Sequence, residues 1–184
     1  MPTAVQVEIN IQDFFFEPSS EAVPIDLNTW ESWFQRWLEE LQPSLPPQMQ
    51  NSSYELSLRL TNDAEIQHFN AQYCQKDQPT DVLAFAALEA EPLPAAVQAD
   101  LPLYLGDILI SVETAQNQAE HGLKQELAWL AAHALLHLLG WDHPDELSLQ
   151  KMLQQQESLL QTVGLTSRYH QEALSPLVEL NSFP

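Results

Sequence analysis

Two hydrophobic periods run along this chain, and together they predict its elements. Val5, Val7 and Ile9 alternate with Gln6, Glu8 and Asn10, and Leu56, Leu58 and Leu60 alternate with Ser57 and Arg59. A repeat of two sends successive side chains to opposite faces, so both segments read as half-buried strands. Val82 to Ala87 and Tyr104 to Val112 supply a third and a fourth strand. The second period is helical. Trp30, Trp33, Phe34, Trp37, Leu38 and Leu41 recur at spacings of three and four, a stripe that reads as core rather than as a cofactor box. Asn62 followed by Glu65 forms a capping-box pair, opening a short helix expected to bury Ile66, Phe69 and Tyr73. Glu113 to His121 reads as helix and stops at Gly122. Lys124 to Leu139 forms the next helix. Asp145 to Val163 forms the last, with Leu149, Met152, Leu153, Leu159 and Leu160 as its apolar face.

Between these elements, Pro43 to Ser53 and Cys74 to Asp81 are polar and read as loops. Glu89 to Pro102 carries three prolines and three acids, so it reads as an exposed excursion. The residues from Leu165 read as a surface tail. The order is strand, helix, strand, helix, two strands, three helices. It predicts one α+β domain over residues 1–184, with helices packed on a small mixed sheet. Residues 1–53 hold the first strand and helix, 54–163 the core, and 164–184 the tail.

Composition narrows the function classes. At 184 residues and 45% hydrophobic content the chain is long and apolar enough for a globular core. Its net charge of −20, from six basic and 26 acidic residues, argues against broad phosphate-backbone binding through a Lys/Arg surface. A local site where a metal ion supplies the positive charge stays open. The single Cys74 cannot pair within the chain, which fits a reducing compartment. The first residues show no basic and apolar leader pattern. The most apolar segment, Leu127 to Trp141, is shorter than the ~20 residues that span a bilayer. The expectation is a cytoplasmic protein with no membrane partner.

The candidate chemistry lies in HALLHLLGWDH, His133 to His143, which holds three of the six histidines. On a helix, His133 and His137 leave the same face one turn apart. Gly140 can end that helix in a left-handed turn and bring His143 back toward the other two. Between Glu126 and Asp142 the two helical histidines are the only polar side chains. Leaving one unsatisfied there would cost on the order of 1–3 kcal/mol. A hydrogen-bonded histidine cluster is the bland alternative; the third histidine just past the glycine favours a metal. Structural zinc sites are usually closed by four ligands and rich in cysteine, and here Cys74 would have to fold back as the fourth. Three nitrogens without an evident carboxylate suit one zinc ion with an open position. The spacing matches His-Glu-x-x-His-x-x-Gly-x-x-His of metzincin peptidases except at Ala134. There the glutamate that activates water is missing, which turns the reading away from peptides.

The same segment resembles the signature His-Gly-x-Leu-His-Leu-x-Gly-Tyr-Asp-His of the bacterial YbeY family, metal-dependent endoribonucleases of ribosomal RNA maturation. Pro79-Thr80-Asp81-Val82-Leu83-Ala84-Phe85 resembles that family's Pro-Thr-Asp-Val-Leu-Ser-Phe, and Leu105-Gly106-Asp107-Ile108 its Leu-Gly-Asp-Ile. Phe69-Asn70 with Tyr73, and Met152 with Glu157, also match, so the resemblance covers about Leu60 to Leu160. It implies a zincin-like fold with a mixed four-stranded sheet. It also implies zinc on His133, His137 and His143, and cleavage of single-stranded RNA at the 3′ end of small-subunit ribosomal RNA, with ribosome quality control. The chain departs from the family in having Cys74 where an arginine follows the tyrosine, and a thiol cannot replace a guanidinium that holds phosphate. Lys76, two residues on, is the candidate substrate-binding charge. Ala134 replaces glycine, Trp141 replaces tyrosine, and Ala84 and Ala86 stand where Ser and Pro are usual. Asp142 is a candidate for orienting a ligand imidazole, with a turn carboxylate as its plainer role. Asp107 is expected to pair locally and Asp81 to shape its loop. No general base is evident. Two other readings stand beside the ribonuclease: a zinc-containing ribosome-assembly binding protein of weak activity, and a hydrolase of another substrate class.

Overall fold

The computed structural model describes residues 4–17, 23–87 and 101–165. Within them the chain runs β1 (Gln6–Asp13), α1 (Leu27–Leu41), β2 (Ser53–Thr61), α2 (Asp63–Cys74), β3 (Val82–Ala86), β4 (Leu103–Ser111), α3 (Val112–Gln118), α4 (Leu123–Leu138) and α5 (Glu146–Thr162). The order of elements is the expected one, and the fold is α+β. The sheet runs β1-β2-β4-β3. β1 and β4 flank β2 in parallel, and β3 pairs antiparallel with β4, so the sheet is mixed.

Alternation along the strands divides the apolar residues between two faces. Val82, Ala84, Ile108 and Ile110 belong to the main core, while Leu83, Leu109 and Phe85 belong to a smaller cluster on the opposite face with Ile66 of α2. The main core is filled by the α1 stripe, whose Trp30, Phe34, Trp37 and Leu38 are all but fully buried. The Trp37 indole N–H donates to the Leu159 carbonyl at 2.9 Å and so ties α1 to α5. The aromatic stripe is core, as read. α4 is apolar around its whole circumference, which is the pattern of a central helix. Asp26 and Asp145 cap α1 and α5 by accepting from Thr29 and Ser148 backbone N–H groups.

Gly106 sets how closely α4 can approach the sheet. The β2–β4 register shifts between Glu55 and Leu56, where Gly106 follows the extra residue Leu105. Its φ is +132°, and a Cβ there would sit 2.0 Å from the Phe85 carbonyl oxygen and 3.0 Å from Leu138 Cδ2. Only glycine leaves room for β3, β4 and the end of α4 to meet.

Several expectations are corrected. Pro43 to Ser53 is not plain loop: it holds two 3-10 turns, Gln42–Ser44 and Pro47–Met49, with Met49 buried. The helix predicted from Glu113 to His121 ends three residues earlier, at Gln118. Tyr73 was expected in the core but is 59% exposed, because α2 presents only Ile66 and Asn70 fully to the interior. The capping box is half formed. Asn62 accepts from the Glu65 N–H at 2.9 Å, but the Glu65 carboxylate turns to Arg59 and Thr61. Most of the Glu89 to Pro102 excursion, and the tail beyond Leu165, lie outside the described residues.

Candidate metal centre

The three histidines meet because of how α4 ends. Gly140, at φ +92°, takes the conformation that glycine adopts cheaply. Its N–H donates to the His137 carbonyl at 3.0 Å, and the Trp141 N–H donates to the Leu136 carbonyl at 3.0 Å. This pair of bonds is a Schellman motif. It reverses the chain and carries His143 back over the last turn. One ligand-capable atom from each of His133, His137 and His143 then lies within 4.8 Å of the other two. Among the described residues this is the group that could hold a metal ion. Cys74 lies elsewhere, packed against the small cluster on the opposite sheet face.

The hydrogen bonds around His133 settle its tautomer. Gln156 donates through Nε2 to the Trp129 carbonyl at 3.0 Å, which turns its Oε1 toward His133 Nδ1 at 2.9 Å. An oxygen there can only accept, so Nδ1 carries the proton and Nε2 keeps its lone pair. That Nε2 faces His137 Nε2 at 3.2 Å. A tetrahedral zinc with bonds of about 2.0–2.1 Å separates its nitrogen ligands by ~3.3 Å, so this pair is already spaced for one ion. The full set lies within 4.8 Å, so that a small inward shift would let all three share one ion. Burial depresses both helical histidines. His133 is pushed down to about 4, with the Gln156 hydrogen bond opposing and His143 reinforcing. His137 is also pushed down to about 4, by burial first and then by the charges of His133 and His143, with Asp142 opposing. Both imidazoles are therefore neutral near pH 7, the form that binds metals. The donor set fits zinc.

Gln156 is the functional residue that sequence reasoning missed. The signal was present, since of Gln154, Gln155 and Gln156 only the last falls on the stripe of Met152, Leu159 and Leu160. It is fully buried there. The other candidates are placed as follows. Asp142 is exposed, and its Oδ1 accepts from the His143 N–H at 2.8 Å, a turn contact that shapes the backbone at His143. Asp107 accepts from the Tyr104 hydroxyl at 2.8 Å, the local pairing expected of it. Asp81 accepts from the Val82 N–H at 2.8 Å and from Gln118 Nε2 at 3.1 Å, so it does shape the start of β3. The Gln118 Nε2 also donates to the buried Glu126 of α4 at 2.8 Å, linking that loop to the base of the histidine helix. Lys76 lies on the α2–β3 loop, with its charge close enough to Cys74 to oppose the rise that burial gives the thiol.

The family model described as Endoribonuclease YbeY matches residues 15–164. The chain belongs to the YbeY family. Among YbeY proteins, the Endoribonuclease YbeY of Trichormus variabilis (strain ATCC 29413 / PCC 7937) is 58% identical over 172 residues, covering 88% of this chain and 96% of that one. That of Nostoc sp. (strain PCC 7120 / SAG 25.82 / UTEX 2576) is 56% identical over 172 residues, covering 88% and 92%. The solution structure of TM1509 from Thermotoga maritima is 23% identical, with a TM-score of 0.49, over 85% of this chain and 89% of that one. The YbeY match spans every strand from β2 onward and the whole histidine segment. No helix among the described residues is long and apolar enough to cross a membrane.

Proposed function

We propose that this protein is a zinc-dependent endoribonuclease that cleaves single-stranded RNA. Its substrate in the cell would be ribosomal RNA, at the 3′ end of the small-subunit species, on ribosomes or assembly intermediates in the cytoplasm. The observation that carries the reading is the three-histidine cluster, which lies within the residues that the family model matches. His133, His137 and His143 would hold one zinc ion. When bound, the ion supplies positive charge and Lewis acidity to a phosphodiester, which the acidic surface of this chain cannot supply itself.

The chain's own residues do the rest. Gln156 holds the His133 proton on Nδ1, so that Nε2 stays available. Asp142 holds the turn that carries His143 and, close to His137, favours a cationic charge in the cleft. Ala134 is fully buried on α4, so the residue that follows the first histidine brings no carboxylate to act as a base. This supports RNA over peptide as substrate. Lys76 would provide the point charge for a phosphate.

One observation favours a second reading, a zinc-holding ribosome-assembly protein of weak activity. Cys74 stands where the family has arginine, and burial raises its pKa against the influence of Lys76, so it stays an uncharged thiol. The test is to incubate the zinc-loaded chain with single-stranded ribosomal RNA beside His137→Ala and Cys74→Arg. The ribonuclease reading expects cleavage by the wild type, a fall of a hundredfold or more with loss of zinc in His137→Ala, and a gain in Cys74→Arg. No cleavage by the wild type with cleavage in Cys74→Arg would leave the assembly reading standing. Cleavage unchanged in His137→Ala would assign it to a contaminant.

A further inference from the structure

Tyr73 is the large aromatic residue that the fold places least as its pattern predicts. It is 59% exposed, yet it is held in place. Its ring lies nearly parallel to Phe69, at 13° and 6.1 Å between centroids, and Phe85 of β3 meets it edge-on at 5.3 Å. Phe69 and Phe85 are themselves seated against the small cluster of Ile66, Leu83 and Leu109. The outer ring is thus supported from below and from one side, with little freedom left to lose on binding. Around it, Gln72, Gln75, Asp77 and Gln78 are exposed and polar. A stable protein interface needs about 800 Å² on each side with an apolar centre. One open ring on two partly covered ones falls far short of that, while a single ring is what one base stacks on.

The position of the patch also points to RNA. Phe85 belongs to β3, which among the described residues has a sheet partner on one side only. Its backbone carbonyl and the side chain of Leu138, next to His137, both crowd the space over Gly106. A strand crossing the outer edge of β3 would pass from the histidine side of the sheet to the aromatic side. Lys76 lies on the α2–β3 loop, three residues past Tyr73, and is one of only six basic residues in the chain. We propose that Phe69, Tyr73 and Phe85 form a stacking platform for one unpaired base of a single-stranded RNA, with Lys76 on the adjoining phosphate. The platform is sequence-tolerant, since every base has a stacking face. It rests on the endoribonuclease reading and names how that site would select single strands: a base held in a duplex cannot reach the ring.

The test uses the zinc-loaded full chain and a single-stranded RNA carrying one 2-aminopurine, whose fluorescence falls on stacking. Stopped-flow mixing reads the quench that precedes cleavage. Wild type and Tyr73→Phe are expected to quench, with KM values within about twofold of each other. Tyr73→Ala is expected to lose the quench and to raise KM by about 5- to 150-fold, the range for removing one stacked base. Its kcat and zinc content should change little, which separates a binding role from a structural one. A Tyr73→Ala variant that quenches with an unchanged KM overturns the platform while leaving the ribonuclease reading intact; a protein-docking patch would give this result. A wild type that neither quenches nor cleaves overturns the ribonuclease reading and the platform with it.

Discussion

On one face of the sheet lie α1 and α4 with α5 behind them, a core of tryptophans, leucines and alanines that closes over His133. On the other face α2 contributes Ile66 to a cluster of three buried residues among those described, and Phe69, Tyr73 and Phe85 grade outward into solvent. The deep face suits a site whose side chains must be neutral and fixed before anything binds, because burial keeps His133 and His137 unprotonated and packing restricts side-chain rotamers. The shallow face suits a surface that must be reached. Gly106 lies between the two, where β3, β4 and α4 converge.

The largest expected effect comes from joining the faces badly. Gly106→Ala meets a backbone oxygen at 2.0 Å and a φ of +132° that side chains rarely adopt. Since the obstacle is backbone, no rotamer relieves it. Denaturant unfolding should show a loss of about 3 kcal/mol or more. A loss under 1 kcal/mol would mean that β3 and α4 can part without cost.

Acid should separate the faces next. For His133 the folded pKa, about 4, lies below the unfolded value of 6.5. Above pH 6.5 neither state binds the proton, so the group contributes nothing. Below 6.5 the unfolded chain takes up a proton that the native state refuses, and stability falls until about pH 4. The metal-free protein should lose on the order of 3 kcal/mol across that window from His133, with His137 adding in the same direction. On the shallow face, the Arg59 hydrogen bond holds Glu65 below its ordinary 4.5, so its contribution is present above 4.5 and fades only below it. That pair is partly exposed and worth little. Urea midpoints measured from pH 7.5 to 3.5 check the order: a curve flat down to pH 4.5 would contradict a neutral His133 and His137.

The contrast also explains what could be read from the sequence. The α1 stripe and α4 were legible because a deep core imposes a strict period, and a histidine among leucines stands out against it. The Gly140 turn was legible because left-handed geometry has few residues to choose from. Tyr73 was not, because a short helix that buries Ile66 against only Leu83 and Leu109 leaves its flanking positions free to be wet or dry, and an aromatic at helical spacing looks the same either way. The 3-10 turns around Met49 were hidden by prolines that read as loop. Glu65 left the capping box because Arg59, six residues earlier on β2, offered a charge-assisted partner. Gln156 was hidden among its neighbours, although its spacing gave it away.

The smallest of these effects, and the most specific to the deep face, concerns Gln156. Gln156→Leu keeps the volume of the side chain and the apolar fit against α4. It removes the acceptor for the His133 Nδ1 proton and the donor to the Trp129 carbonyl. The ring then has no reason to keep its proton on Nδ1, and its orientation toward His137 loosens. Loss of such an outer partner typically weakens metal affinity by about 10- to 100-fold. Competition with a zinc chelator measures it directly, alongside thermal unfolding of the zinc-loaded form. Gln156→Glu separates charge from geometry. It still accepts from Nδ1, so affinity should hold closer to the wild type, while the amide bond from Gln156 to the Trp129 carbonyl is lost. If Gln156→Leu binds zinc as tightly as the wild type, the ring is held by packing alone, and the deep face orients its ligands without the hydrogen-bond chain from α5.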